Sequence, residues 1–159
     1  MATTFQIFER AERIELVCAE GYALLAERFK VDSAARALFL RLEEEELQHA
    51  ARVRLLAARY RHDPRLLDGA PADLSELDLM LHDAETAVSS IRAGSFARSV
   101  EEAVVNLVAL EERMSRAHAE LIAHGGHPAQ REFFRQLAEQ DDGHREMLLG
   151  LRKARAQGA

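Results

Sequence analysis

Leu-Glu-Glu-Glu-Glu-Leu-Gln-His, from Leu42 to His49, is the stretch that decides the fold of this chain. The second half of the chain repeats its pattern as Leu-Ala-Glu-Gln-Asp-Asp-Gly-His, from Leu137 to His144. On a helix, side chains three residues apart lie on one face, one turn from each other. Each copy therefore places an acid and a histidine side by side, and the repeat predicts a duplicated helix pair. The two pairs are Glu46 with His49 and Asp141 with His144.

The composition favours helix almost throughout. The chain has 159 residues, of which 48% are hydrophobic and 30% charged, as expected for one globular domain spanning residues 1–159. Only three residues are proline and eight are glycine, while Ala, Leu, Glu and Arg are abundant. We therefore predict an all-α protein with enough chain to bury a substantial core.

Charge and cysteine content exclude several classes of protein. A net charge of -6 and the interleaving of Arg with acids argue against nucleic-acid binding. Cys18 is the single cysteine, so an internal disulfide or a thiolate metal cluster cannot form. Met1–Arg10 lacks the pattern of a signal peptide, and no apolar run approaches 18 residues. We expect a cytoplasmic protein without membrane contact.

The apolar stripes predict four long helices and one further helix. Asp32 or Ser33 would cap the second helix, Asp73 and Glu76 would form a capping box on the third, and Gly94 would end it. The chain should break at Pro64 and at Gly69–Pro71, so the third helix would lie in a long crossover between the two halves. Ala154–Ala159 is predicted to fray. This architecture is a four-helix bundle, with predicted helices at Phe5–Phe29, Ala34–Tyr60, Asp73–Arg92, Phe96–Ala123 and Pro128–Lys153.

Each long helix carries polar residues where its apolar stripe should continue, near the middle of the helix. In an antiparallel bundle the middles of the helices meet in one layer. That layer would contain four carboxylates and two imidazoles, from Glu15, Glu46, His49, Glu111, Asp141 and His144.

Burying four ionised carboxylates without compensation would be prohibitive, and two divalent cations would balance their charge. Mixed oxygen and imidazole donors suit iron or manganese. Each acid–histidine pair could hold one metal while two carboxylates bridge, and our choice for the bridges is Glu46 and Glu111. Open coordination positions would admit dioxygen or peroxide.

The order Glu, Glu-x-x-His, Glu, acid-x-x-His resembles the ferritin-like diiron-carboxylate proteins. Ala19–Tyr22, Leu38–His49 and Leu110-Glu111 are similar to the rubrerythrin branch in particular, and the likeness spans Phe8 to Leu151. The resemblance implies a ferritin-like four-helix bundle with two iron ions. The ligands would be Glu15, Glu46, His49, Glu111, Asp141 and His144. The resemblance also implies oxidoreductase chemistry on hydrogen peroxide or dioxygen, often in a homodimer.

The sequence departs from the rubrerythrin pattern in three ways. Rubrerythrins usually carry a rubredoxin-like domain after the bundle, so we expect a separate electron-donor protein here. Asp141 stands where the family has glutamate, and its shorter side chain would need an inward helix shift or an intervening water to reach a metal. Rubrerythrins also often carry an extra glutamate on the third long helix, near its ligand. Here Val108 occupies the position one turn before Glu111, and Glu112 would point away, so we expect the site to lack that extra ligand.

Several residues have both a functional and a structural interpretation. Tyr22 could hydrogen-bond a ligand carboxylate or belong to the core. His118 fits a supporting or core role better than ligation, and Cys18 fits a small apolar filler. For the whole protein, the alternatives are ferritin-like oxidation and storage of ferrous iron, oxidation of an organic substrate, and a metal-free helical interaction module.

Overall fold

The computed structural model describes residues 4–62, 74–124 and 128–158 of the chain. These residues are almost entirely helical and contain no strand. The prediction of an all-α bundle is therefore confirmed. The helices are α1 (Thr4–Arg28), α2 (Ser33–His62), α3 (Ser75–Arg92), α4 (Val100–His124) and α5 (Pro128–Gly158).

Local capping explains where the helices begin and end. The Asp32 carboxylate accepts the backbone N–H of Ala35 at 3.0 Å, so Asp32 is the N-cap of α2. Gly94, with φ of 76°, follows the end of α3 in a left-handed conformation that suits glycine. The predicted breaks at Pro64 and at Gly69–Pro71 lie outside the described residues, as does Asp73 of the predicted capping box. Leu74 is the N-cap of α3 and has no side-chain cap.

The start of α4 differs from the prediction, which placed it at Phe96. The helix begins at Val100 because Ser99 caps it: the Ser99 hydroxyl accepts the N–H of Glu102 at 3.2 Å. The Glu102 carboxylate in turn accepts the N–H of Arg98 at 2.7 Å. The side-chain amide of Asn106 donates to the Phe96 carbonyl at 2.5 Å, which satisfies a backbone group that the helix does not use.

The end of α5 also differs from the prediction of a frayed tail. The helix continues to Gly158. Arg155 forms an ion pair with Asp32 and another with Glu101, whose Oε1 lies 2.6 Å from Arg155 Nη2. These contacts attach the last turns of α5 to the start of α2 and to the start of α4, so residues beyond Lys153 stay helical.

The bundle consists of two helical hairpins, α1 with α2 and α4 with α5, and α2 also touches α5. Helix α3 packs against α1 and α4. The core divides into two apolar clusters. The first contains Phe8, Val53 and Phe134, and the second contains Leu25, Phe39 and Leu148. Full burial of side chains of this size stabilises the fold by about 1.5–3 kcal/mol each.

Among the described residues, no helix combines the length and the apolarity needed to cross a membrane.

Candidate metal centre

A layer of polar side chains separates the two apolar clusters. It contains all the buried acidic and basic side chains of the described part of the chain. The six predicted ligands are among them, together with His118. The polar interruptions of the apolar stripes therefore do point inward. These seven residues are Glu15, Glu46, His49, Glu111, His118, Asp141 and His144.

Glu46 lies at the centre of the layer, between two imidazoles. Its Oε2 is 3.2 Å from His49 Nδ1, and its Oε1 is 3.3 Å from His144 Nδ1. The two imidazole rings stack, with centroids 5.3 Å apart and planes at 15°. Glu46, His49 and His144 each offer a ligand atom, and these atoms lie within 4.8 Å of one another. The three residues thus form a compact group in which one carboxylate could reach two cations.

Two further carboxylates border this group. Glu15 Oε2 lies 3.5 Å from His49 Nδ1, and Glu111 Oε1 lies 3.7 Å from His144 Nδ1. The Tyr22 hydroxyl donates a hydrogen bond to Glu111 Oε1. Tyr22 is buried, so this contact satisfies the phenol and fixes the position of the Glu111 carboxylate.

Asp141 differs from the other carboxylates because its close contact is with the imidazole of His118. Asp141 Oδ2 lies 2.7 Å from His118 Nδ1, and Asp141 is not part of the compact group. His118 also stacks on the ring of Phe134, with centroids 6.0 Å apart. The contact with His118 therefore fixes the position of Asp141, which has the shortest side chain of the four acids.

The ionisation of the layer follows from burial and from these contacts. Burial raises the pKa of Glu15 and of Asp141 well above the usual range, and the neighbouring carboxylates add to the rise. Burial opposes protonation of the two central imidazoles, but the carboxylates beside them raise the pKa of His49 to about 9 and that of His144 to about 11.

The pKa values of Glu46 and His118 are lowered, whereas those of the other acids and imidazoles just described are raised. Burial acts against the ionised form of Glu46, yet its contacts with His144 and His49 hold its pKa below the usual range. Burial lowers the pKa of His118 to about 4, so this imidazole stays neutral. Protons on the two central histidines thus balance only part of the negative charge that the four acids could carry.

The donors of the layer fit a metal ion. Neither ring nitrogen of the buried His144 has a hydrogen-bond partner among the described residues. Buried polar atoms normally have such partners, and a neutral imidazole nitrogen can instead donate its lone pair to a metal. Carboxylate and imidazole donors without thiolates are the set that iron and manganese accept.

One residue near this group was missed by the sequence analysis. Glu45 Oε2 lies 3.6 Å from the second ring nitrogen of His144, Nε2. Glu45 also pairs with Arg41 at 2.9 Å, as i,i+4 helix neighbours do. Nothing in the run Glu43–Glu46 distinguishes Glu45 from the solvated acids beside it, because its contact depends on how α5 packs on α2.

A helical bundle with buried carboxylates and imidazoles in its middle layer defines the class of ferritin-like metal-carboxylate proteins. The chain belongs to the rubrerythrin family, whose model matches residues 6–152. The resemblance inferred from the sequence is therefore confirmed, as is the ferritin-like type of bundle. No curated protein and no solved structure matches the chain. The family and the buried Glu/His group together indicate metal binding, and iron is the ion that the family suggests.

Proposed function

We propose that this protein is a nonhaem diiron oxidoreductase that reduces hydrogen peroxide or dioxygen, with electrons from a separate donor protein. The observation that carries the proposal is the position of Glu46 between His49 and His144. The two ring nitrogens of His144 have no hydrogen-bond partner among the described residues. A carboxylate with one oxygen toward each imidazole is suited to bridge two metal ions.

The ligand roles follow from which hairpin each side chain comes from. Glu15 and His49 would hold one iron, and Asp141 and His144 the other. Glu46 would bridge the two irons together with Glu111. Asp141 would have to turn from His118 or bind through a water, so the second position is the weaker one.

An iron pair bound there would supply two electrons, which with two protons convert hydrogen peroxide to two water molecules. The chain itself contributes positioning and exclusion of water. The Tyr22 hydroxyl holds Glu111 through its hydrogen bond and keeps a proton next to the centre. The apolar clusters on both sides of the layer limit the access of bulk water.

Metal content and its dependence on single residues test this proposal. Protein purified without chelator, or loaded anaerobically with ferrous iron, should contain about two irons per chain by elemental analysis, a number implied by two acid–histidine pairs. The variant Asp141→Ala/His144→Ala should retain one or none. Glu44→Gln is the matched control, because Glu44 is exposed on the same helix as Glu46 and should leave the content unchanged.

Kinetics then separate the functional alternatives. A peroxidase consumes many equivalents of hydrogen peroxide while its two irons stay bound. Oxidation of many ferrous ions per chain would instead assign ferritin-like iron oxidation. A protein that binds no iron after loading would be a metal-free helical module, and the proposal would be wrong.

We also propose that the protein forms a homodimer or a larger homo-oligomer. Leu40 and Leu47 lie seven residues apart on α2, and both are exposed. Two helical turns bring such positions onto one stripe. If the stripe is a subunit interface, Leu47→Glu should convert the oligomer to a monomer in light scattering, whereas a monomeric wild-type protein would contradict the proposal.

A further inference from the structure

Helix α3 leaves a small cavity where it packs against α1 and α4. The cavity has a volume of about 20 Å³. Its walls are mostly aliphatic, with Val88 and Ile91 from α3 and Leu107 from α4, and Gly21 of α1 forms one side. Tyr22 and Glu111 also line it, so the cavity reaches the edge of the candidate metal centre.

The chemistry of the walls favours an apolar occupant. The hydroxyl of Tyr22 and the carboxylate of Glu111 are hydrogen-bonded to each other. A buried water needs about 10–15 Å³ and two to four polar partners, and this cavity offers the space but few partners. Hydrogen peroxide would lose hydrogen bonds on entering it, which is costly. A small apolar molecule such as dioxygen loses none.

Gly21 keeps this space open although the helix does not require glycine there. Among the described residues, Gly94 is the glycine with positive φ, so the backbone of Gly21 would accept any residue. A Cβ atom at Gly21 would lie 3.4 Å from Val88 Cγ2 and 3.7 Å from Ile91 Cδ1, which are ordinary contacts. Glycine inside a helix costs roughly 0.5–1 kcal/mol relative to alanine, so its presence calls for a reason other than packing.

We propose that this cavity binds dioxygen beside Glu111 and is its route to the metal centre. This inference rests on the proposed function and refines it, because it provides a path that dioxygen can use more readily than hydrogen peroxide.

The first test locates an apolar gas in crystals of the protein as isolated. Krypton under pressure, located by its anomalous scattering, should occupy the space between Gly21, Val88 and Leu107. It should be absent from Gly21→Ala, whose methyl group fills that space. Gly150→Ala is the matched control, since Gly150 is also helical and has open space around it, and it should bind krypton like the wild type. No krypton in the wild-type cavity would overturn the proposal.

The second test compares how readily dioxygen and hydrogen peroxide reach the metal centre. In iron-loaded protein, Gly21→Ala should lower the ratio of kcat/KM for dioxygen to kcat/KM for hydrogen peroxide at least threefold, and Gly150→Ala should not change it. An unchanged ratio in Gly21→Ala, despite loss of krypton, would refute the route. If neither oxidant reacts with wild-type protein, the proposed function fails, and krypton occupancy still decides whether the cavity binds apolar gas.

Discussion

Removal of metal by a chelator should lower the melting temperature of this protein markedly. Glu15, Glu46, Glu111 and Asp141 are all buried in one layer, so a bound cation has several kcal/mol of charge repulsion and desolvation to relieve. Metal at about a thousand times its dissociation constant stabilises the folded state by about 4 kcal/mol. For a chain of this size that corresponds to a fall of roughly 8–16 °C on chelation.

The size of this fall should depend on pH, because protons replace the metal in the chelated protein. The carboxylates beside His49 raise its pKa to about 9, although burial opposes protonation. The stability from this proton is fully present below the unfolded-state value of about 6.5 and is lost as pH rises through 9. Glu15, whose pKa burial raises well above its usual range, acts in the same direction. Glu46, whose pKa is lowered, stays ionised throughout.

The melting temperature of the loaded protein should change less with pH, since metal binding has already displaced the protons of the ligands into the solvent. The difference in melting temperature between loaded and chelated protein should therefore widen from pH 6.5 to pH 9. Circular dichroism of the helices measures it directly, and the chain has no tryptophan for fluorescence. Glu15→Gln, which removes one buried charge, should narrow the difference, while the exposed Glu44→Gln should not.

Two results would refute this reasoning. One is an unchanged melting temperature after chelation of protein that elemental analysis shows to be loaded. The other is a difference that narrows as pH rises, since that would mean that the chelated layer does not depend on bound protons.

Substitutions at three residues test the contacts that these side chains make. Tyr22→Phe leaves Glu111 Oε1 without its hydroxyl donor and should cost about 1–3 kcal/mol in urea denaturation of the loaded protein; a loss below about 0.5 kcal/mol would contradict the contact. Asp32→Ala removes the α2 cap and the Arg155 ion pair and should cost about 1–2 kcal/mol, while Asp32→Asn, which keeps a capping oxygen, should cost less. Phe134→Ala empties a fully buried site and should cost about 3–5 kcal/mol, and a thermal unfolding curve like that of the wild type would show that Phe134 is not a core residue.

The sequence was sufficient for the helical bundle and for six of the seven side chains of the polar layer, and the structure adds His118. Apolar residues at spacings of three and four indicated which faces are buried, and Glu46 and His49 stood out because they interrupt such a stripe. The predicted start of α4 was wrong because helix propensity continues through Phe96, whereas the cap at Ser99 determines where the helix begins. The predicted end of α5 was wrong because Arg155 forms an ion pair with Asp32, a residue far away in the sequence.

The pairing of side chains within the layer could not be predicted from the sequence. Asp141 and Glu111 both interrupt stripes, and spacing alone cannot tell which one meets His118. That depends on the rotation of α5 against α4, which the packing of Phe134 and its neighbours determines. The assignment of the six side chains as metal ligands stays a prediction.

The division of the bundle into two hairpins has a consequence for the order in which the protein folds and opens. Contacts within each hairpin are local in sequence, so we expect them to form early in folding. The polar layer takes Glu15, Glu46 and His49 from one hairpin and Glu111, Asp141 and His144 from the other. Neither hairpin alone holds a complete set of ligands, so a bound cation would join the two halves of the chain. Loss of metal should first separate the hairpins. Amide exchange should therefore accelerate where α2 packs against α5, before either hairpin unfolds.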